Sequence, residues 1–146
     1  IRDGKQARTP HYGRLNMFFY DPKGRKTLPY YDTFPLVLPI ERYPDGFLGI
    51  NFHYLPMALR LRLLDRVVDF SNNTKFDEST VIDADYSKLK NLKEIKPTLK
   101  RYLAGRVKTR FRRVDADEFT VAALLPIARW KKGTQQEVYK DSRKMI

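Results

Sequence analysis

The sequence predicts an α+β fold, with a short-stranded sheet in its N-terminal part and helices packed on that sheet. Residues 15–55 contain several short apolar segments separated by Pro and Gly turns, which is typical of a small sheet such as an SH3-like barrel. After Pro56, apolar residues recur at helical spacing. With 146 residues and a hydrophobic fraction of 42%, the chain has the length and the apolar content of one domain.

The N-terminal part divides into an arm and a series of strands. Residues 1–14 are polar, basic and rich in Gly and Pro, so we expect an extended arm ahead of a single domain over residues 15–146. Residues 15–20 are apolar and predict a strand, and the Asp-Pro-Lys-Gly sequence after them predicts a hairpin turn. Three prolines in residues 28–40 predict short extended pieces, with an edge or kinked strand at residues 36–40.

A second turn and a well-patterned strand complete the sheet-rich part. Asp45 and Gly46 predict the turn. Residues 47–54 alternate between two sets of side chains, which predicts a strand with one face in the core. The side chains expected in the core are Leu48, Ile50, Phe52 and Tyr54.

Residues 56–146 are predicted to be rich in helix. A helix over residues 56–70 has an apolar stripe opposite a charged side. A polar loop is expected over residues 71–84 and a short helix around residues 85–92. Pro97 then predicts a helix that runs to about residue 110, and the alternative is a strand over residues 106–114.

Three further segments follow. The acidic residues at 115–118 predict a helix start, because negative charge is favoured at a helix N-terminus, and residues 119–125 continue that helix. Residues 127–132 predict a strand or loop, and residues 134–146 a final basic helix or tail. Trp130 lies among basic residues, where it would either stack on a base or be buried in the core.

Positive charge gives the strongest indication of function. The chain has 29 Lys and Arg against 17 Asp and Glu, a formal net charge of +12 and a pI near 10.0. Residues 96–113 contain eight basic residues and no acidic one, which suits a phosphate backbone better than a merely solvated surface. The candidates for phosphate contacts are Arg101, Arg106, Lys108, Arg110, Arg112 and Arg113, followed by Lys100, Lys131 and Lys132.

The composition argues against most catalytic and metal sites. Cysteine is absent, which excludes disulfides, Cys-ligated zinc, iron–sulfur clusters and cysteine nucleophiles. With two histidines, His11 and His53, a His-rich metal site or a Ser-His-Asp triad is not expected. We therefore predict that the protein is not an enzyme and has no catalytic residues, metal site or cofactor. A metal-dependent nuclease built on Asp85, Glu94 and Lys96 is a weak alternative.

Several sequence strings resemble a known family. Residues 17–40 are MFFYDPKGRKTLPYYDTFPLVLPI and residues 45–56 are DGFLGINFHYLP, followed later by KRYLAGRVKTRFRRVDADE and KDSRKM. In these strings the chain resembles conserved virion proteins of T4-type tailed bacteriophages and cyanophages. The resemblance implies a DNA-associated virion protein such as a DNA end protector, with another head or neck component as the alternative. None of the strings is a catalytic motif, so the resemblance transfers no catalytic residue.

The resemblance and the charge together predict a sequence-independent, double-stranded DNA-binding protein of a phage particle that protects or holds genome ends. We expect DNA and other virion proteins as partners, no membrane, and a location in the virion or, during assembly, in the host cytoplasm. An oligomer is compatible with this prediction. The alternative is a structural head, neck or tail component whose basic face docks on acidic proteins, and a ribosomal-type RNA-binding protein also fits the charge.

Overall fold

A computed structural model describes residues 6–68, residue 82 and residues 86–146. Within these residues, six strands form one antiparallel sheet and two more form a separate ribbon, and four α-helices follow or flank them. The predicted α+β fold class is therefore confirmed.

The strands are β1 (Gln6–Ala7), β2 (Leu15–Met17), β3 (Tyr31–Asp32), β4 (Leu36–Tyr43), β5 (Gly46–Asn51), β6 (Leu99–Leu103), β7 (Phe111–Val114) and β8 (Trp130–Lys131). The helices are α1 (Met57–Val68), α2 (Tyr86–Leu89), α3 (Phe119–Leu124) and α4 (Gln135–Met145). Single 3-10 turns occur at Phe52–Tyr54, Lys93–Ile95, Ala104–Arg106 and Ala116–Glu118. The main sheet has the order β1-β7-β2-β4-β5-β6, and β3 pairs with β8.

The main sheet is open. In the described part of the chain, β1 pairs with β7 alone and β6 with β5 alone, so these two strands are its edges. The SH3-like barrel is therefore not confirmed, because a barrel requires its sheet to close on itself.

Both faces of the sheet are covered, because β4 and β5 direct alternate side chains to two cores. Leu38 and Ile50 belong to the larger core, to which α1 and α3 also contribute. Val37 and Phe47 lie on the opposite face. There they form an aromatic cluster whose buried members are Phe18, Tyr20, Val37, Phe47, Tyr102 and Phe111. The strand predicted over residues 47–54 therefore contributes side chains to a core on each face, and it ends at Asn51 because Phe52–Tyr54 form a 3-10 turn.

The strand predictions for the first half of the chain need three corrections. The hairpin predicted after residues 15–20 is wrong, since β2 pairs with β4 and β7 while β3 pairs with β8. The strand at residues 36–40 is not at an edge: β4 lies between β2 and β5. Its proline is tolerated because the register of the β4–β5 pair shifts between Pro39 and Glu41, which is the predicted kink.

The described part of the expected arm joins the sheet. Gln6 pairs with Arg112 and Ala7 with Phe111, and Tyr12 packs against the aromatic cluster. Residues 1–5 lie outside the described residues. The division into an arm and one domain stays a prediction.

The turn predicted at Asp45 and Gly46 joins β4 to β5. A side chain at Gly46 would place its Cβ 1.9 Å from the carbonyl oxygen of Tyr102 on the neighbouring strand β6. Glycine is therefore required by the close approach of β6 to this turn.

The helix predicted over residues 97–110 is wrong, and two strands stand in its place. β6 pairs with β5 and β7 pairs with β2, with the 3-10 turn Ala104–Arg106 between them. This arrangement buries Tyr102 and Phe111 in the aromatic cluster, and that tertiary packing overrides the local helical spacing. The alternative strand over residues 106–114 was closer to the structure.

The other helical predictions hold within the described residues. α1 confirms the helix predicted over residues 56–70, although residues 69 and 70 lie outside the described residues. The loop predicted over residues 71–84 also lies outside them, except for Ile82. α2 confirms the short helix, and α3 with its preceding 3-10 turn confirms the helix start at residues 115–118. α4 confirms the final helix, where the Thr134 hydroxyl accepts a hydrogen bond from the Glu137 amide.

A buried arginine ties these elements together. Arg60 of α1 is 1% exposed. Its guanidinium donates to the carbonyl oxygens of Leu55 (2.6 Å), His53 (3.2 Å) and Ala123 (2.9 Å) and to the Tyr139 hydroxyl (2.7 Å). These bonds hold the 3-10 turn after β5, α3 and α4 against α1, and they give the buried guanidinium its acceptors.

Candidate nucleic-acid interface

A groove of about 620 Å³ lies between the arm, the β4–β5 turn and the connection from β6 to β7. We call it the basic groove. Among the described residues that line it, four are basic and none is acidic. The basic residues are Arg8, Arg42, Lys108 and Arg110, and all four are exposed. Within the described part of the chain, no carboxylate forms an ion pair with any of them.

The connection from β6 to β7 is held firmly on the sheet. The Lys108 amide donates to the carbonyl oxygen of Phe19 (2.8 Å), and the Phe19 amide donates to the Thr109 hydroxyl (2.9 Å). Val107 forms a bridge with Tyr20 over the aromatic cluster. These contacts restrain the backbone on both sides of Lys108, so only its side chain is free to move at the groove.

The pairing of β1 with β7 adds the arm to the groove. The register, in which Ala7 lies opposite Phe111, brings Arg8 and Arg110 to the same end of the strand pair. Both of these arginines line the groove. A segment that looked like a free arm in the sequence therefore supplies one wall of the groove.

Two arginines are stacked on tyrosines near the β4–β5 turn. The guanidinium carbon of Arg42 lies 3.9 Å from the ring centroid of Tyr12, and that of Arg101 lies 3.9 Å from the ring centroid of Tyr43. Stacking fixes the plane of a guanidinium while its N–H edge stays free to meet phosphate oxygens. Burial raises the pKa of Tyr12, although the charge of Arg42 opposes this effect.

Of the nine predicted phosphate contacts, Lys108 and Arg110 line the groove and Arg101 adjoins it through Tyr43. Arg101 also forms an ion pair with Asp45, so part of its charge is already matched. This pairing lowers the pKa of the Asp45 carboxyl.

Arg106 and Arg113 have partners inside the protein. Arg106 donates from Nε to the carbonyl oxygen of Asp21 (2.8 Å), and its guanidinium lies 3.4 Å from the Asp21 carboxylate. Asp115 pairs with both Arg14 (2.7 Å) and Arg113 (2.6 Å). These contacts tie the chain together, and Asp115 uses its carboxylate for them rather than for a side-chain cap of the following turn.

The remaining predicted residues lie elsewhere. Arg112 is half-buried opposite Met17 in the sheet. Lys131 is exposed on β8, and Lys132 donates to the carbonyl oxygens of residues 25 and 26 (3.0 and 3.3 Å). Lys100 lines a separate cavity beside β6.

Sequence reasoning missed Arg8 and Arg42. Neither belongs to the dense basic segment at residues 96–113. Arg8 reaches the groove through the long-range pairing of β1 with β7, whereas Arg42 lies on β4 just before the β4–β5 turn that borders the groove. The basic composition of residues 1–14 was the signal for Arg8. No pattern along the chain pointed to Arg42.

The nuclease alternative gains no support. Within the described ranges, no three His, Asp or Glu side chains come together as a metal site. Glu94 is buried and its carboxylate lies 3.7 Å from Arg66, whereas Asp85 is outside the described residues. Trp130 is half-buried and belongs to neither hydrophobic core, and its ring packs against those of Tyr54 (4.8 Å) and Tyr30 (6.2 Å). The expected burial in the core is therefore wrong, and stacking on a base stays a prediction. Of the helices in the described part of the chain, none is both long and apolar enough to cross a bilayer.

A protein-family model matches residues 1–143, and the family is described as the phage T4 terminal DNA protecting protein. The chain belongs to this family. The resemblance to DNA end protectors of T4-type phages is thereby confirmed. The family description names a DNA-protecting protein rather than an enzyme, and it implies DNA as a partner and a phage as the setting. No curated protein and no solved structure matches the chain.

Proposed function

We propose that this member of the DNA-protecting family binds the ends of duplex DNA without sequence preference and that the basic groove holds the phosphates of the terminal base pairs. The observation that carries the proposal is the set of four exposed cations, Arg8, Arg42, Lys108 and Arg110, in a groove whose described lining contains no acid. Cations that no described carboxylate neutralises are free to neutralise phosphates and release condensed counterions.

The shape of the groove supports contacts with the backbone rather than with base edges. Its walls come from the arm, a hairpin turn and an extended connection, whereas sequence readers usually insert a helix or ribbon into the major groove. Phosphate contacts position a protein on DNA but carry no sequence information. A protein that must bind whatever sequence lies at a DNA end needs this type of contact.

The charge of the whole chain supports the same function. With a net charge of +12, the protein attracts a polyanion over distances longer than a contact, and salt weakens this attraction. We propose that the protein acts at genome ends within the virion, or in the host cytoplasm while the particle is assembled.

The experiment uses fluorescence anisotropy to measure binding at a series of salt concentrations. The three ligands are a short blunt duplex, a closed circle of the same sequence and an RNA hairpin. The double variant Lys108→Ala, Arg110→Ala removes two groove cations. The control Lys90→Ala, Lys93→Ala removes two exposed lysines near α2, outside the groove.

Four phosphates neutralised in the groove contribute a slope of about −3.6 in a plot of log K against log salt concentration. In the groove variant Lys108→Ala, Arg110→Ala, the slope should be shallower by about 1.8. The control variant should keep the slope of the unmodified protein. Equal losses in both variants would overturn the assignment of the groove. Absence of binding to all three nucleic acids at moderate salt would overturn DNA binding and favour a basic face that docks on acidic proteins.

A further inference from the structure

A second cavity, of about 370 Å³, lies beside β6. Five tyrosines line it: Tyr20, Tyr30, Tyr31, Tyr54 and Tyr102. We call it the tyrosine pocket. Lys100 and Arg101 of β6 line it as well. Its volume is at the lower end of the range of about 300–1,000 Å³ for cavities that bind one small molecule.

We propose that the tyrosine pocket receives the unpaired terminal nucleotide of a DNA end, with the base among the tyrosine rings and the phosphate at Lys100. This inference rests on the proposed binding of DNA in the basic groove. It adds the feature by which the protein would distinguish an end from the interior of a duplex.

The aromatic walls suit a base of any sequence, because every base has a π-face that stacks on an aromatic ring. Hydrogen bonds to their hydroxyl groups hold two of the rings in place. The Tyr20 hydroxyl accepts a bond from the Leu103 amide (2.8 Å), and the Tyr30 hydroxyl donates to Asp141 (3.0 Å). The rings of Tyr20 and Tyr102 meet edge to face at 5.0 Å. A pocket fixed in this way loses little entropy when a ring-shaped ligand enters.

Lys100 has no matching anion in the described part of the pocket. Its ammonium lies 4.0 Å from the ring centroid of Tyr54, and burial lowers the pKa of Lys100 to about 8. Among the described residues, no carboxylate forms an ion pair with Lys100. A nucleotide phosphate would supply that charge, and it would favour the ammonium form at neutral pH.

Asp32 is the one acidic residue of the described lining, and its carboxylate already accepts four hydrogen bonds inside the protein. Its carboxylate accepts from the amides of Phe34 (2.9 Å) and Arg129 (3.0 Å), and from the side chains of Asn51 (3.2 Å) and His53 (2.7 Å). Because these four donors hold Asp32, the carboxylate does not neutralise Lys100 in place of a phosphate.

The pocket adjoins the basic groove through one pair of residues. Tyr102 lines the tyrosine pocket, and its ring is stacked at 5.3 Å on that of Phe47, which lines the basic groove. We expect a strand that leaves a duplex held in the groove to reach this neighbouring pocket. Only an end offers an unpaired base cheaply, since extracting a base from inside a duplex costs a few kcal/mol of stacking and pairing.

The test uses three DNA probes of the same sequence: a duplex with a one-nucleotide overhang, the same duplex with an abasic overhang, and a closed circle. The unmodified protein should bind the overhang duplex about tenfold more tightly than the abasic one, which is the loss expected for one stacked base. Lys100→Gln and, independently, the rim variant Tyr31→Leu should reduce this ratio toward one. The groove variant Lys108→Ala, Arg110→Ala should weaken binding to all three probes and keep the ratio.

A fluorescent base gives a second readout that does not depend on affinity. With 2-aminopurine as the overhanging base, binding should quench its emission through stacking on the tyrosines, whereas 2-aminopurine inside the duplex should not change in this way. Trp130, the single tryptophan, lies 4.8 Å from Tyr54 and should report the same event from the protein side. Equal binding of the overhang and abasic probes with no quenching would overturn the pocket and leave DNA binding intact. Failure to bind any of the three DNAs would overturn the proposed function itself.

Discussion

Replacing Lys100 with methionine should stabilise the fold at neutral pH. Burial lowers the pKa of Lys100 from 10.5 to about 8, and one pKa unit corresponds to about 1.4 kcal/mol. Keeping the charged form in the folded protein therefore costs roughly 3 kcal/mol, of which the attraction to the Tyr54 ring returns about 1–2 kcal/mol. Methionine fills the same space without the charge, so we expect a net gain of about 1–2 kcal/mol.

The gain should depend on pH in one direction. Because the pKa of Lys100 is lower in the folded than in the unfolded chain, the cost of the charge is present in full below about pH 8. It disappears as the pH rises from about 8 toward 10.5, where the unfolded chain also loses the proton. The advantage of Lys100→Met over the unmodified protein should shrink across this window.

Urea unfolding at pH 7 and at pH 9.5 measures both effects. Lys96→Met serves as the control, since Lys96 is exposed and belongs to the same basic segment. This control should change the stability by less than about 0.5 kcal/mol at either pH. The reasoning is refuted if Lys100→Met destabilises the protein at pH 7, or if its effect is the same at both pH values.

Three further substitutions test the packing. Arg60→Met should cost about 3–5 kcal/mol in urea unfolding, because three buried carbonyl oxygens and the half-buried Tyr139 hydroxyl lose their donor. An effect below about 1 kcal/mol would contradict this role. Gly46→Ala should cost more than about 2 kcal/mol, because its Cβ would meet a backbone oxygen at 1.9 Å, whereas Gly105→Ala, with nothing within 4 Å, should change stability by less than about 0.5 kcal/mol. Burial opposes the charge of Asp32, but hydrogen bonds from His53 and two backbone amides outweigh it and lower the pKa of Asp32 below 3.8. The unmodified protein should therefore lose stability as the pH falls through that lowered pKa. Asp32→Asn should remove this part of the acid dependence and destabilise the fold at pH 7. If the variant and the unmodified protein had the same dependence of stability on acid pH, this role of Asp32 would be contradicted.

The elements predicted best were those whose pattern is local. α1 carries an apolar stripe over consecutive turns, and the turn at Gly46 has a local sequence signal. β6 was missed, and β7 was covered only by the alternative strand over residues 106–114, because Leu99, Leu103 and Val107 have helical spacing. The partners that bury Tyr102 and Phe111 lie far away in the chain. Spacing along one segment cannot show contacts with residues that are distant in sequence.

Of the residues that form the candidate site, those in a local sequence pattern were predicted and the others were not. Lys108 and Arg110 were found because they belong to a dense basic segment. Arg8 and Arg42 enter the groove only through the pairing of β1 with β7 and the position of β4 beside the connection. The tyrosine pocket was not foreseen, since its five tyrosines are spread over residues 20–102 and no spacing links them.

Protection of DNA ends by the basic groove is tested most directly with a double-strand exonuclease. At low salt, the protein should keep a blunt linear duplex intact in proportion to the number of ends it occupies. The control variant Lys90→Ala, Lys93→Ala should protect as well as the unmodified protein, and Lys108→Ala, Arg110→Ala should lose most of the protection. Degradation of the duplex at saturating unmodified protein, or equal protection by both variants, would contradict the role of the groove.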